Sequence, residues 1–198
     1  VHAWDHVDWH DRLPRMDPGE VFATFGRAAE RFADVFGRAA EVAGAPGWTA
    51  NGLSVEAYES RGIRVASDTR GGPPFRPLRS DGTTSSLVEV PSTLPTLDEL
   101  LAFDEFRGEK REGAVDHLRR DVRDAQGVSV HSIHTEIEGG RAFAGLFARQ
   151  LEGWSAEDHP RREDLLDLLE SSPRDVNTAN WMGQMQGLAR TLTPGGGG

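Results

Sequence analysis

The chain opens on VHAWDHVDWHD, and the histidines at positions 2 and 6 pose the first chemical question. Two imidazoles at i and i+4 project from one face of a helical turn, the spacing that lets both reach one divalent ion. His10 extends the series, but eight residues of helix rise span about 12 Å, too far for His2 and His10 to share an ion. A catalytic metal also needs a third protein ligand and an open position for water. Nothing near this segment clearly supplies them, and a hydrated, histidine-rich terminus accounts for the same residues.

His134 is the second chemical candidate. It ends an alternating stretch, VSVHSIH at 128–134, that reads as a strand, and TEIEGG follows it. In α/β folds catalytic groups project from the carboxyl ends of strands. A histidine there serves as general acid or base, or it is a buried ring bonded to backbone, and residue type alone does not separate the two. Asp68 follows another predicted strand and opens DTRGGPPFRP at 68–77. A carboxylate with Arg70 and Arg76 in a stiff loop suits an anionic substrate or the orientation of a histidine. A surface salt bridge is the commoner use of such residues. Trp48 either stacks on a sugar or fills the core. Phosphate-binding glycine loops, a GxSxG elbow and HExxH are all missing.

These residues need elements to position them. Apolar residues recur at three- and four-residue spacing from Val21 to Ala39, which predicts a helix begun by Asp17 and Pro18. Gly44 to Gly47 breaks the pattern, and Thr49 or Asn51 caps a short helix running through Tyr58. Strands are expected at 63–67 and 86–90, separated by the proline-rich loop 71–77. Thr96 to Glu99 is a capping-box pattern. Further helices are expected at 114–125, where Gly127 ends the run, and at 141–151, with a polar loop at 155–162 and a short helix at 164–169. Strands alternating with helices predict an α/β fold with a mostly parallel sheet or barrel.

Composition narrows the partners. With 22 basic and 32 acidic residues the formal charge is 22 − 32 = −10. Such a surface repels phosphate backbones, so nucleic acid is not an expected partner. No stretch approaches the roughly 20 apolar residues needed to cross a bilayer. The absence of cysteine excludes disulfides and thiolate metal sites.

Taken in order, HAWDH at 2–6, GAPGW at 44–48, SDTRGGPPFRPL at 67–78, VPSTLPTLDEL at 90–100 and IHTEIEG at 133–139 resemble the polysaccharide deacetylases. They are most similar to the branch that deformylates undecaprenyl-phosphate-linked 4-deoxy-4-formamido-L-arabinose. The resemblance runs from His2 to about Gln186, where NWMGQ at 180–184 is a weak echo. It implies an α/β fold, an incomplete distorted (β/α) barrel whose N-terminal strands precede this sequence. Residues 1–192 would then be the C-terminal part of one catalytic domain, and 193–198 a flexible glycine-rich tail.

The resemblance also implies the chemistry. One divalent metal ion (Zn, Mn, Co or Ni) would be held by His2, His6 and an aspartate on the family's first strand. His134 would be the general acid and Asp68 the carboxylate that orients it. Trp48, Arg70, Arg76 and Glu136 would contact the substrate, a lipid-linked amino sugar or another N-acylated sugar. A family arginine is replaced here by Ala43, with Arg70 as its substitute. The implied location is cytoplasmic, compatible with peripheral contact on the inner membrane. Without the family's first strand, the chain alone is expected to be inactive.

Overall fold

The computed structural model describes residues 1–125 and 128–152. They fall into two compact units, one spanning Val1–Pro91 and a second beginning at Ser92.

In the first unit, α1 covers His6–Arg12, α2 Pro18–Phe36 and α3 Gly52–Ser60. Strands β1 Val42–Ala43, β2 Val65–Ala66 and β3 Val88–Glu89 form a parallel sheet in that order. Helix α2 starts where its sequence predicts. Asp17 accepts from the Glu20 N–H at 2.9 Å, and Glu20 reaches back to the Asp17 N–H at 3.1 Å. Each such cap is worth about 1 kcal/mol. The helix stops at Phe36 because Gly37 turns left-handed, φ 66°. Asn51 rather than Thr49 caps α3, in a reciprocal pair with Ser54.

The buried face of α2 packs Val21 and Phe25 against Trp9, Tyr58, Ile63 and Leu87. Phe25 and Tyr58 lie 4.5 Å apart between ring centroids. Burying each such side chain contributes about 1.5–3 kcal/mol. The proline-rich loop returns along the sheet edge, and Phe75 pairs with Glu89 through hydrogen bonds of 3.0 and 2.8 Å.

The second unit contains α4 Leu97–Leu101, α5 Glu112–Asp124, α6 Thr135–Glu138 and α7 Ala144–Glu152. Leu97, Leu100, Val115, Leu118 and Leu146 make its core. Thr96 and Glu99 form the expected capping box of α4. The expected strand at 128–134 is not one. Thr93 and Leu94 both donate to the Val130 carbonyl at 3.0 Å, while the Val130 N–H donates to Thr93 Oγ1 at 2.9 Å. Extended backbone bonded to a loop in this way makes no ladder.

Strand β1 went unpredicted because its two residues are too short to show an alternating pattern. The loop expected at 155–162, the helix at 164–169, the NWMGQ stretch at 180–184 and the tail at 193–198 lie outside the described residues, as does Gly127.

Candidate functional site

His2, Asp68 and Glu89 lie at the carboxyl edge of the sheet in the first unit. Val1 lies beside β1: its N–H donates to Val42 O at 2.7 Å, and its carbonyl accepts from Gly44 N at 2.9 Å. Those are the bonds of a parallel strand flanking Ala43. His2 therefore leaves the sheet next to Gly44, and its Nδ1 lies 2.7 Å from the Gly44 carbonyl. A carbonyl only accepts, so Nδ1 carries the hydrogen, and in the neutral ring the lone pair lies on Nε2.

The expectation that His2 and His6 share one helical turn is corrected. Helix α1 begins at His6, capped by Asp5, whose side chain accepts the Asp8 N–H at 2.8 Å. Ala3 takes a left-handed φ of 52° before that cap. The two rings nonetheless meet, with centroids 5.2 Å apart. His10 is elsewhere: Nδ1 bonds Asp11 at 2.8 Å, and its ring sits where a Cβ on Gly47 would stand.

Asp68 is 3% exposed, and its Oδ1 accepts the Ala45 N–H at 2.6 Å. The Tyr58 hydroxyl also donates to it. Glu89, 2% exposed, takes on one oxygen the N–H of Asp68 at 2.7 Å, the N–H of Thr69 at 2.9 Å and the Thr69 hydroxyl at 2.8 Å. Burial is the main cause that raises both carboxyls above their usual range, and the charge of Asp68 raises Glu89 further. The Tyr58 hydroxyl is raised as well, by burial and then by the two carboxylates. Sequence reasoning passed over Glu89. Its one signal was a charged residue inside the apolar run LVEV.

Gly47 and Trp48 are both left-handed, at φ 57° and 53°. That conformation turns the indole back under Arg70, whose guanidinium carbon stands 4.4 Å from the ring centroid, a cation–π contact. Arg76 donates to the Ser86 carbonyl and so ties the proline-rich loop to the strand that follows. Ala43, which the resemblance sets in the place of an arginine, is buried in β1 beside Ala66.

His134 and Glu136 belong to the second unit. His134 caps α6, with its N–H on Glu138 Oε2 at 2.9 Å and its carbonyl accepting from Ile137 and Glu138. Its Nδ1 is 2.9 Å from Asp98 Oδ1, in the first turn of α4. Asp98 is thus a carboxylate that holds this ring. Asp68, expected to orient this ring, belongs to the first unit, where its described side-chain partners are Ala45 and Tyr58. The His134 side chain keeps 35% of its surface exposed. Glu136 is exposed on α6.

The metal that the family resemblance implies can be tested against these donors. Among the described residues no three His, Asp or Glu side chains converge to hold an ion. The His2 and His6 rings, 5.2 Å apart between centroids, are the pair that the resemblance implies as ligands. A ligating histidine typically donates its second ring N–H to a carbonyl, as His2 does to Gly44.

A protein of Shewanella sediminis (strain HAW-EB3), assigned as a 4-deoxy-4-formamido-L-arabinose-phosphoundecaprenol deformylase (ArnD), is 27% identical over 144 residues. That match covers 70% of this chain and 43% of the relative. A crystal structure assigned as a polysaccharide deacetylase from Mycobacterium smegmatis superposes with a TM-score of 0.64 at 19% identity. It covers 86% of this chain and 64% of the other, a likeness of fold. The chain is thus similar in sequence to a protein named as a deformylase and in fold to one named as a polysaccharide deacetylase. No family model matches it. The chain spans less than half the length of the curated protein it matches. Among its described residues no helix is long and apolar enough to cross a membrane.

Proposed function

We propose that this chain contributes to the active site of a metal-dependent hydrolase of sugar N-acyl amides. Its preferred substrate on this reading is undecaprenyl-phosphate-linked 4-formamido-arabinose, the step of lipid A modification that frees the 4-amino group. The observation that carries the reading is the His2/His6 pair at the sheet's carboxyl edge, with the His2 tautomer set by the Gly44 carbonyl.

His2 and His6 would hold the ion, whose identity among Zn²⁺, Mn²⁺, Co²⁺ and Ni²⁺ the nitrogen donors leave open. When bound, such an ion polarises the acyl oxygen and acidifies water. The remaining work falls to the chain's own groups. Asp98 accepts the hydrogen bond from His134 Nδ1, which makes Nε2 the nitrogen that exchanges a proton. His134 delivers that proton to the departing sugar amine, without which an amide nitrogen leaves poorly. Trp48, with Arg70 laid on its face, supplies an apolar and cationic wall for a sugar phosphate. Arg76 and Glu136 are assigned to substrate contact as well. The reading places the protein in the cytoplasm, meeting its lipid-linked substrate at the inner-membrane face.

Formate release from the lipid-linked formamido-sugar by the full-length polypeptide tests this, with N-acetylated chitin oligomers as comparator. Release that disappears with a chelator and in His134→Ala is the expected result. Preference for the acetylated oligomer would redirect the substrate, and chelator-insensitive or absent hydrolysis of both would end the reading.

A further inference from the structure

Asp68 and Glu89 are the most deeply enclosed acidic pair of the first unit, and the site chemistry above assigns Glu89 nothing. They sit at the ends of the neighbouring parallel strands β2 and β3, where Ala66 is in register with Glu89. The turn that carries Asp68 is fastened to Glu89 through three hydrogen bonds from Asp68 and Thr69. Arg70, on Trp48, is the next residue along. The Asp68 side chain is fastened separately, to the Ala45 N–H and the Tyr58 hydroxyl. These donors are backbone amides and hydroxyls, which are neutral. The titratable groups facing Asp68 are Tyr58 from α3, Glu89 from β3 and the Val1 amine at the sheet edge.

Two carboxylates enclosed this closely cannot both ionise at modest cost, because each meets burial and the other's charge. We propose that Asp68 and Glu89 hold one proton between them near neutral pH, and that Glu89 is a positioning residue for the 68–70 turn. Glu89 touches no substrate on this view. It fixes the turn that places the Asp68 carboxyl and the Arg70–Trp48 wall at the edge of the sheet. Burial raises both carboxyls, in keeping with a retained proton, and such a pair titrates as a unit. The proposal does not depend on hydrolysis.

Tyr58 is the sole tyrosine of the chain, and its hydroxyl is bonded to Asp68. Tyrosine labelled with ¹³C at Cζ therefore gives one NMR resonance that reports the charge on Asp68. In the 198-residue chain that resonance is expected to step once with pH, above the usual carboxylate range. Glu89→Gln keeps the acceptor oxygen but removes the like charge. It should lower the midpoint by about one to three pH units, the size of a like-charge effect. Asp68→Asn should abolish the step. An unchanged midpoint in Glu89→Gln, or a step that survives Asp68→Asn, overturns the proposal. So does failure of both amide variants to fold, because a pair that already contains one uncharged carboxyl must tolerate an amide of equal size.

Discussion

The imidazole of His134 and the carboxylate of Asp98 are joined by a 2.9 Å hydrogen bond across 36 residues of sequence. Each side chain sits at the start of a helix. Asp98 is set by the Thr96–Glu99 capping box, and His134 by its own N–H on Glu138. The ring's tautomer is therefore decided by two helix N-termini rather than by a neighbour in sequence.

This relationship yields the first prediction. An asparagine at 98 can donate to Nδ1 and favours the opposite tautomer, and an alanine removes the partner. In ¹⁵N NMR of the imidazoles, His134 should be the Nδ1–H form in the native chain and shift toward Nε2–H in Asp98→Asn. On the proposed function kcat should fall by about 10²–10⁴-fold, as for loss of an aligned proton donor. An unchanged tautomer in both Asp98→Asn and Asp98→Ala removes Asp98 from the role.

Gly47 gives a second. Its φ is +57°, and a Cβ there would stand 2.3 Å from His10 Cδ2. The half-exposed His10 ring can swing aside to relieve the clash, but the left-handed backbone still costs a non-glycine residue about 1–2 kcal/mol. Gly47→Ala should lose about that much stability in urea unfolding. The loss should largely persist in a His10→Ala background. A neutral Gly47→Ala would mean that this backbone conformation is not the one in solution.

The third concerns pH, where two sets of carboxyls act with opposite sign. Burial pushes Glu59 up, but the donors Arg79, Ser86 and Ser85 outweigh it and bring its pKa to about 2. Its stabilisation is present above the unfolded value of about 4.3 and is lost as pH falls toward about 2. Asp68 and Glu89 are raised, so they keep protons in the fold where the unfolded chain has released them. Their stabilisation is present below the unfolded values of roughly 4 and is lost as pH rises toward their folded values. A tenfold difference in proton affinity between folded and unfolded chain is worth about 1.4 kcal/mol.

Stability should thus climb out of the acid range, peak near pH 5 or so, and decline toward neutrality. Urea unfolding at a series of pH values measures this. Because the net charge of −10 also opposes compaction at high pH, the comparison with variants decides: Glu89→Gln flattens the decline and Glu59→Gln the climb. Stability that rises steadily from about pH 5 to pH 8 contradicts the assignment.

Much of the local structure was written in the residues. The Asp17–Pro18 start of α2, the Asn51 cap and the Thr96–Glu99 capping box each depend on side chains within three residues of the backbone they bind. Such bonds survive any tertiary arrangement, and ordered motifs such as HAWDH and SDTRG likewise carried the family resemblance. The pairing of His2 with His6 is different. Its spacing suggested a helical turn, yet the rings meet because Gly44, at the end of β1, binds His2 while Asp5 starts α1 after it.

Asp98 and Glu89 were not legible at all. One sat in a capping pattern and the other in an apolar run, each with a sufficient local explanation. Their roles arise from partners 36 and about 20 residues away. Sequence determines which groups bind their own backbone, because those bonds are short-range and the chain supplies both ends. Only the tertiary structure decides which carboxyl meets which imidazole and which acids lose water, because burial and long-range hydrogen bonding exist only once the strands and helices have packed.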